Sequence, residues 1–100
     1  MPRMTVEVWS SLSHLFGAER ARRRSLQVEV EEGTTLAGLL RKLAQENPRF
    51  AEVMYKPDTS EPSGQVSVVV NDRLPELLDG YETRLHDGDR IILVQAYAGG

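Results

Sequence analysis

The chain has 100 residues, a formal net charge of −3 at pH 7 and no cysteine. This length supports one hydrophobic core, the absence of cysteine excludes disulfides and thiolate chemistry, and the mild acidity argues against direct nucleic-acid binding. No apolar run approaches the roughly 18 residues of a membrane span, and the N-terminus lacks the apolar segment of a signal peptide. We therefore expect a single cytoplasmic domain with no direct membrane contact.

Two segments in the first third of the chain alternate between apolar and polar residues. Residues 5–11 read TVEVWSS and residues 26–32 read LQVEVEE, and both have the period of a strand. A long connection joins them, and its basic run at 19–24 (ERARRR) is expected to be a solvated loop. The pattern predicts an antiparallel pair of strands.

The segment GTTLAGLLRKLAQENP, residues 33–48, changes to a helical period. Its leucines fall on one stripe of a helix: Leu36, Leu39, Leu40 and Leu43. Thr34 or Thr35 is a candidate N-cap, and Pro48 is expected to stop the helix. A close approach of this helix to a sheet would explain Gly38. Residues 49–64 are expected to be a connector, with an exposed loop in their second half.

The C-terminal half is predicted to contain two further strands separated by turns. QVSVVVND, residues 65–72, is a strand that ends in the turn pair Asn71-Asp72. A brief strand or helical turn is expected near 74–78. The sequence HDGD, residues 86–89, has His and Asp residues but lacks the spacing of a metal site, so it predicts a turn and no metal site. RIILVQAYA, residues 90–98, is the most apolar strand.

Together these elements predict an α+β domain in which one main helix packs on one face of a mixed sheet of four to five strands. The continuously apolar last strand is expected in the centre of the sheet, beside the first strand. That arrangement is the β-grasp (ubiquitin-like) fold.

The segment LLDGYETRLHDGDRIILVQAYAGG, residues 77–100, resembles the C-terminal part of the ubiquitin-like sulfur carriers. This family includes the small subunit of molybdopterin synthase (MoaD) and the thiazole-forming carrier ThiS. The resemblance implies one domain over residues 1–100 with a flexible Gly-Gly tail at 96–100. It also implies that the Gly100 carboxylate is adenylated and converted to a thiocarboxylate, while Gly99 allows the tail into a narrow channel.

The resemblance further implies that this chain is a carrier, or a non-catalytic subunit of a sulfurtransferase, and binds no cofactor itself. ATP and Mg²⁺ would belong to a ubiquitin-activating-like adenylating enzyme, and sulfur would come from a persulfide enzyme. Tyr97 and Ala98 are expected to contact the partner beside the reacting glycines. The favoured pathway is molybdenum cofactor synthesis, with the molybdopterin synthase large subunit as a further partner.

Three alternatives to that pathway stay open. The chain could serve thiamine synthesis or tRNA thiolation, it could be a ubiquitin-like modifier that Gly100 joins to lysines, or it could be a β-grasp interaction module without tail chemistry. A docking surface is expected on the sheet face away from the helix, from Trp9, Ile92 and Val94. Ile91 and Leu93 would replace the last two if the phase were reversed, and the 13–24 loop could instead cover Trp9.

Overall fold

A computed structural model of the chain describes residues 1–9, 12, 24–59, 61–74 and 78–95. The four strands are β1 (Arg3–Val8), β2 (Arg24–Glu29), β3 (Val66–Val70) and β4 (Arg90–Gln95). The helices are α1 (Leu36–Glu46) and α2 (Pro48–Met54), and a 3₁₀ turn covers Gly80–Glu82. No helix in the described part of the chain is long and apolar enough to cross a membrane.

The sheet is mixed and has the strand order β2-β1-β4-β3. β1 and β2 are antiparallel, as predicted, with Val6 opposite Leu26. β4 runs parallel to β1 and antiparallel to β3, so the last strand lies in the centre of the sheet beside the first. The predicted placement of the most apolar strand is therefore confirmed, because only a central strand is covered by neighbours on both edges.

One face of the sheet carries the hydrophobic core. Alternate residues of the strands point into it and meet the apolar stripe of α1. The buried side chains that share this cluster include Met4, Val6, Val8, Val28, Leu36, Leu39, Leu40, Leu43, Val66, Val68, Val70, Ile91 and Leu93. The predicted α+β layering is thus confirmed, with all four predicted leucines of α1 buried.

The start of α1 is fixed by one of the two predicted caps. The Thr35 hydroxyl accepts a hydrogen bond from the Gly38 N–H at 3.2 Å. The sequence-based explanation of Gly38 is wrong, because a Cβ there would lie 3.0 Å from the Thr34 methyl carbon rather than against the sheet. Glycine at position 38 therefore leaves room for the side chain of Thr34, the residue before the N-cap.

The connector predicted over residues 49–64 is wrong in its first part, since α2 occupies Pro48–Met54. Pro48 ends α1 but begins α2, because a proline at the first helical position lacks only an N–H that would have had no partner in the helix. Phe50 and Met54 lie one helical turn apart, and both are at most 1% exposed. α2 therefore supplies a second helical layer of the core.

The two predicted turns have the expected backbone. Asn71 and Asp72 both have positive φ, at 48° and 66°, and Gly88 has φ of 87°. The short element expected near 74–78 falls largely outside the described residues, and the described 3₁₀ turn follows it at Gly80–Glu82.

Candidate functional site

The carboxyl end of β4 is the point from which the predicted reactive tail extends. Leu93 is level with Val8 of β1, and Gln95 is level with Val66 of β3. The parallel ladder continues one bond past β1, since the Trp9 N–H donates to the Leu93 carbonyl at 3.0 Å. The chain is thus held by β1 up to Leu93 and by β3 up to Gln95. The predicted reactive and recognition residues lie outside the described residues: Tyr97, Ala98, Gly99 and Gly100.

The opposite end of β4 is anchored by a polar network. The Arg90 Nε donates to Glu7 Oε2 at 2.7 Å, and its guanidinium also lies 3.7 Å from Asp72. Asn71 clamps the backbone of Arg90, donating its N–H to the carbonyl at 2.8 Å and accepting from the Arg90 N–H at 2.9 Å. Sequence analysis did not find this network, because Glu7 and Arg90 meet only through strand register and share no local pattern. It fixes the strand that leads to the tail.

The outer face of the sheet, away from the helices, carries the predicted docking residues. Ile91 and Leu93 belong to the core, so Ile92 and Val94 have the phase that was predicted first. Ile92 is only 8% exposed and Val94 is half-buried, whereas Trp9 is 40% exposed. Trp9, Val94 and the half-buried Val69 of β3 therefore offer accessible apolar area on this face. The alternative cover for Trp9, the 13–24 loop, lies almost entirely outside the described residues.

The 86–89 segment forms the turn that was predicted. The Asp89 Oδ2 accepts from the His86 N–H at 2.7 Å, and its Oδ1 accepts from the Asn71 side-chain amide at 3.0 Å. Asp87 Oδ1 accepts from the Arg3 N–H at 2.8 Å. Both carboxylates are thus used by the turn and its neighbours. Across the described ranges, no group of three or more metal-ligating side chains is present.

A second ion pair lies at the end of the sheet far from the tail. Arg3 hydrogen-bonds Glu29 at 2.6 Å across β1 and β2, and this bond together with the charge of Arg3 lowers the pKa of Glu29. Because the pKa of Glu29 is lower in the folded state than in the unfolded state, the ion pair stabilises the fold at pH values above the unfolded-state pKa. That contribution is lost as the pH falls through the folded-state pKa. Both side chains are well exposed, so the pair is a surface feature.

Comparison with known proteins identifies the family of this chain. The model of the ThiS family matches residues 14–100, most of the chain and up to the final glycine. The chain belongs to the ThiS family. It is thus a member of the ubiquitin-like sulfur carriers and modifiers, which confirms the resemblance drawn from residues 77–100. No match was found among curated proteins.

Solved structures support the same fold. The small archaeal modifier protein 1 of Haloferax volcanii superposes with a TM-score of 0.78 at 18% identity, covering 97% of this chain and 100% of that one. Urm1 of Trypanosoma brucei matches with a TM-score of 0.68 at 25% identity, covering 98% and 95%. A chain of the Amycolatopsis orientalis BexX/CysO complex matches with 0.68 at 24% identity, covering 97% and 99%. All three likenesses extend over nearly the whole domain, and the β-grasp fold is confirmed.

Proposed function

We propose that this ThiS-family chain carries sulfur as a thiocarboxylate on Gly100. The observation that supports this most is the family match that runs to Gly100, together with a central strand that ends at Gln95, shortly before that residue in the chain. Gly99 and Gly100 have no side chains, so a carboxylate on Gly100 could enter a narrow site of another protein. In this proposal the chain is a co-substrate, and its own side chains perform no acid or base step.

The chemistry requires activation, because a carboxylate has no good leaving group. Attack of the Gly100 carboxylate on the α-phosphorus of ATP forms an acyl adenylate and releases pyrophosphate. A sulfur nucleophile at the oxidation level of hydrosulfide then adds to the acyl carbon, and AMP leaves with the bonding electron pair. The product is the thiocarboxylate. Its sulfur bonds to an electrophilic carbon of the acceptor and displaces a leaving group there, and water then cleaves the C–S bond and restores the carboxylate. A persulfide donor needs a thiol to reduce it, which fits a cytoplasmic setting.

The partners follow from these steps. An adenylating enzyme would supply the site for ATP and Mg²⁺, and a persulfide enzyme would supply the sulfur. Tyr97 and Ala98 would contact the entrance of the adenylating site. As the acceptor pathway we favour molybdopterin synthesis, with the large subunit of molybdopterin synthase receiving the tail. Thiamine synthesis and tRNA thiolation are the other acceptor pathways within the same proposal.

The sulfur-carrier proposal is tested by intact mass spectrometry. The purified chain is incubated with its adenylating enzyme, ATP, Mg²⁺ and a persulfide donor. We expect the mass to rise by the difference between one sulfur and one oxygen atom, and fragmentation to place that change on Gly100. Omission of ATP is the control and should leave the mass unchanged. A chain that gains no adenylyl group and no sulfur under these conditions contradicts the proposal.

Docking of the adenylating enzyme on the outer face gives a separate prediction. Val94→Asp places a charge on the half-buried apolar position 94 of the outer face. We expect this variant to raise the KM of the adenylating enzyme for this chain by about tenfold or more, with a smaller effect on kcat. The matched control is Gln45→Asp, which adds the same charge on the exposed side of α1. An unchanged KM in Val94→Asp would show that the enzyme docks elsewhere.

Conjugation to lysines is the second candidate function. It is favoured by the fold shared with a protein described as a small archaeal modifier. Both functions use the same acyl adenylate, which a lysine amine attacks in place of sulfur. A denaturing gel separates them: conjugates persist as higher bands after thiol treatment, while a carrier yields a thiocarboxylate and no ladder.

A further inference from the structure

We propose that a small pocket on the helix side of the domain binds an aliphatic side chain of a partner protein whose neighbouring residues are acidic. The pocket lies between α1, the end of α2 and the 3₁₀ turn, on the other side of the sheet from the outer face. The inference goes beyond the carrier function because it involves neither the tail nor the outer face. A partner docked here would leave both free for an adenylating enzyme.

The walls of the pocket are mainly apolar. α1 contributes Ala37 and Leu40, and the end of α2 contributes Met54, whose side chain is buried at the base. Two aromatic rings and a proline complete the wall: Tyr55, Tyr81 and Pro62. Tyr81 is 36% exposed, which is high for a large apolar side chain in this domain. Exposed tyrosines beside an apolar depression are a common composition of protein-binding sites.

The pocket is built on fixed backbone. Segment 54–56 is paired with segment 61–63 by two backbone hydrogen bonds, Lys56 N–H to the Glu61 carbonyl at 2.9 Å and Ser63 N–H to the Met54 carbonyl at 2.8 Å. The opposite wall is tied to α1, since the Leu36 N–H donates to the Thr83 carbonyl at 2.8 Å. A preformed site of this kind loses little conformational freedom on binding.

The size of the pocket selects its occupant. Its volume is about 110 Å³. That is smaller than the engineered apolar cavity of roughly 150 Å³ that holds benzene. A branched aliphatic side chain such as leucine has a suitable size.

The charge at the rim selects the neighbours of that side chain. Arg41 lines the pocket, is exposed, and forms no salt bridge with any residue in the described part of the chain. Burial raises the pKa of the Tyr55 phenol, and the positive charge of Arg41 partly opposes this shift. The guanidinium of Arg41 therefore lies close enough to act on that side of the pocket. A guanidinium that has no salt bridge among the described residues favours a carboxylate, which can bind it in bidentate geometry.

The test is an NMR titration of the full-length ¹⁵N-labelled chain with the peptide acetyl-Glu-Asp-Leu-Asp-Glu-amide. We expect saturable shifts of the amides of Ala37, Arg41, Tyr55 and Tyr81. Replacing the peptide leucine by alanine should remove them. Arg41→Glu should weaken binding by about three- to tenfold and should restore affinity for a peptide with lysines in place of the acids. Arg49→Glu, an equal charge change on an exposed α2 residue outside the pocket, should not.

Several results would overturn the proposal. Shifts that do not saturate, or that appear on the outer face around Val94, mean that the pocket does not bind this class of segment. Equal binding of the alanine peptide means that the pocket is not occupied. Equal effects of Arg41→Glu and Arg49→Glu mean that the attraction is non-specific. Arg41 is exposed, so its variant is expected to fold, and the amide spectrum of the free variant verifies this.

Discussion

Removing Gly99 and Gly100 is expected to abolish adenylation while leaving the fold intact. The deletion moves the carboxylate to Ala98, two residues short of the position that the activating site would hold. Because displacement of a reacting group by even about 1 Å can cost 10²-fold in rate, we expect the adenylation rate to fall at least about 100-fold. The measurement is ATP–pyrophosphate exchange with the adenylating enzyme, alongside the intact mass.

The fold should not change, because every buried side chain of the described core lies at or before Leu93 and glycine adds none. The free energy of unfolding is expected to stay within about 0.5 kcal/mol of the parent chain. A variant with one serine added after Gly100 is the matched control: it keeps both glycines but moves the carboxylate, and it should also be inactive. If the truncated chain still restored the function in a deletion strain, the domain would act as an interaction module without tail chemistry.

Replacing Phe50 by alanine is expected to have the largest effect on stability. Phe50 is fully buried in α2 at 0% exposure, and its ring belongs to the same cluster as the leucines of α1. Truncation of a buried phenylalanine costs about 3–5 kcal/mol, because apolar burial is lost and a cavity remains. That is a large part of the roughly 5–15 kcal/mol typical of a domain. Urea unfolding followed by circular dichroism measures the difference.

Two further variants serve as controls for this result. Arg49→Ala, at an exposed position one residue away in α2, should change stability by no more than about 0.5 kcal/mol. Phe50→Leu, which keeps much of the volume, should cost less than the alanine variant. A loss below about 1 kcal/mol in Phe50→Ala would mean that residues 49–54 do not form part of the core in solution.

The parts of the fold that local pattern determines could be predicted from the sequence. The stripe of leucines in α1, the alternation in β1 and β2 and the turn at Asn71-Asp72 each depend on residues close in the chain. The placement of β4 in the centre followed from its continuous apolar run. The family followed from residues 77–100, since the Asp-Gly turn, the apolar strand and the two glycines occur in that order.

The features that were missed depend on context that local pattern does not carry. A proline can follow the end of one helix and also occupy the first position of the next, so the sequence at Pro48 fits both roles. Only the burial of Phe50 and Met54 identifies residues after Pro48 as a helix of the core. The presence of Gly38 in α1 was explained by a close approach to the sheet, although the atom nearest to an added Cβ is the methyl carbon of Thr34. The pocket around Tyr55 and Tyr81 joins residues from three separate elements, so no single stretch of sequence indicates it. Ile92 lies level with Glu7 of β1 and Val69 of β3, and strand register rather than local sequence makes them neighbours.

The late position of β4 in the chain has a consequence for quality control. β1 and β2 form one hairpin and β3 lies apart, and only β4 joins them, by pairing with both. A product of interrupted translation or proteolysis that ended before Arg90 would lack the strand that pairs with both β1 and β3, and the exposed edges of those two strands would invite aggregation or degradation. The complete sheet, and with it the outer face of the proposed docking, therefore forms only when β4 is present.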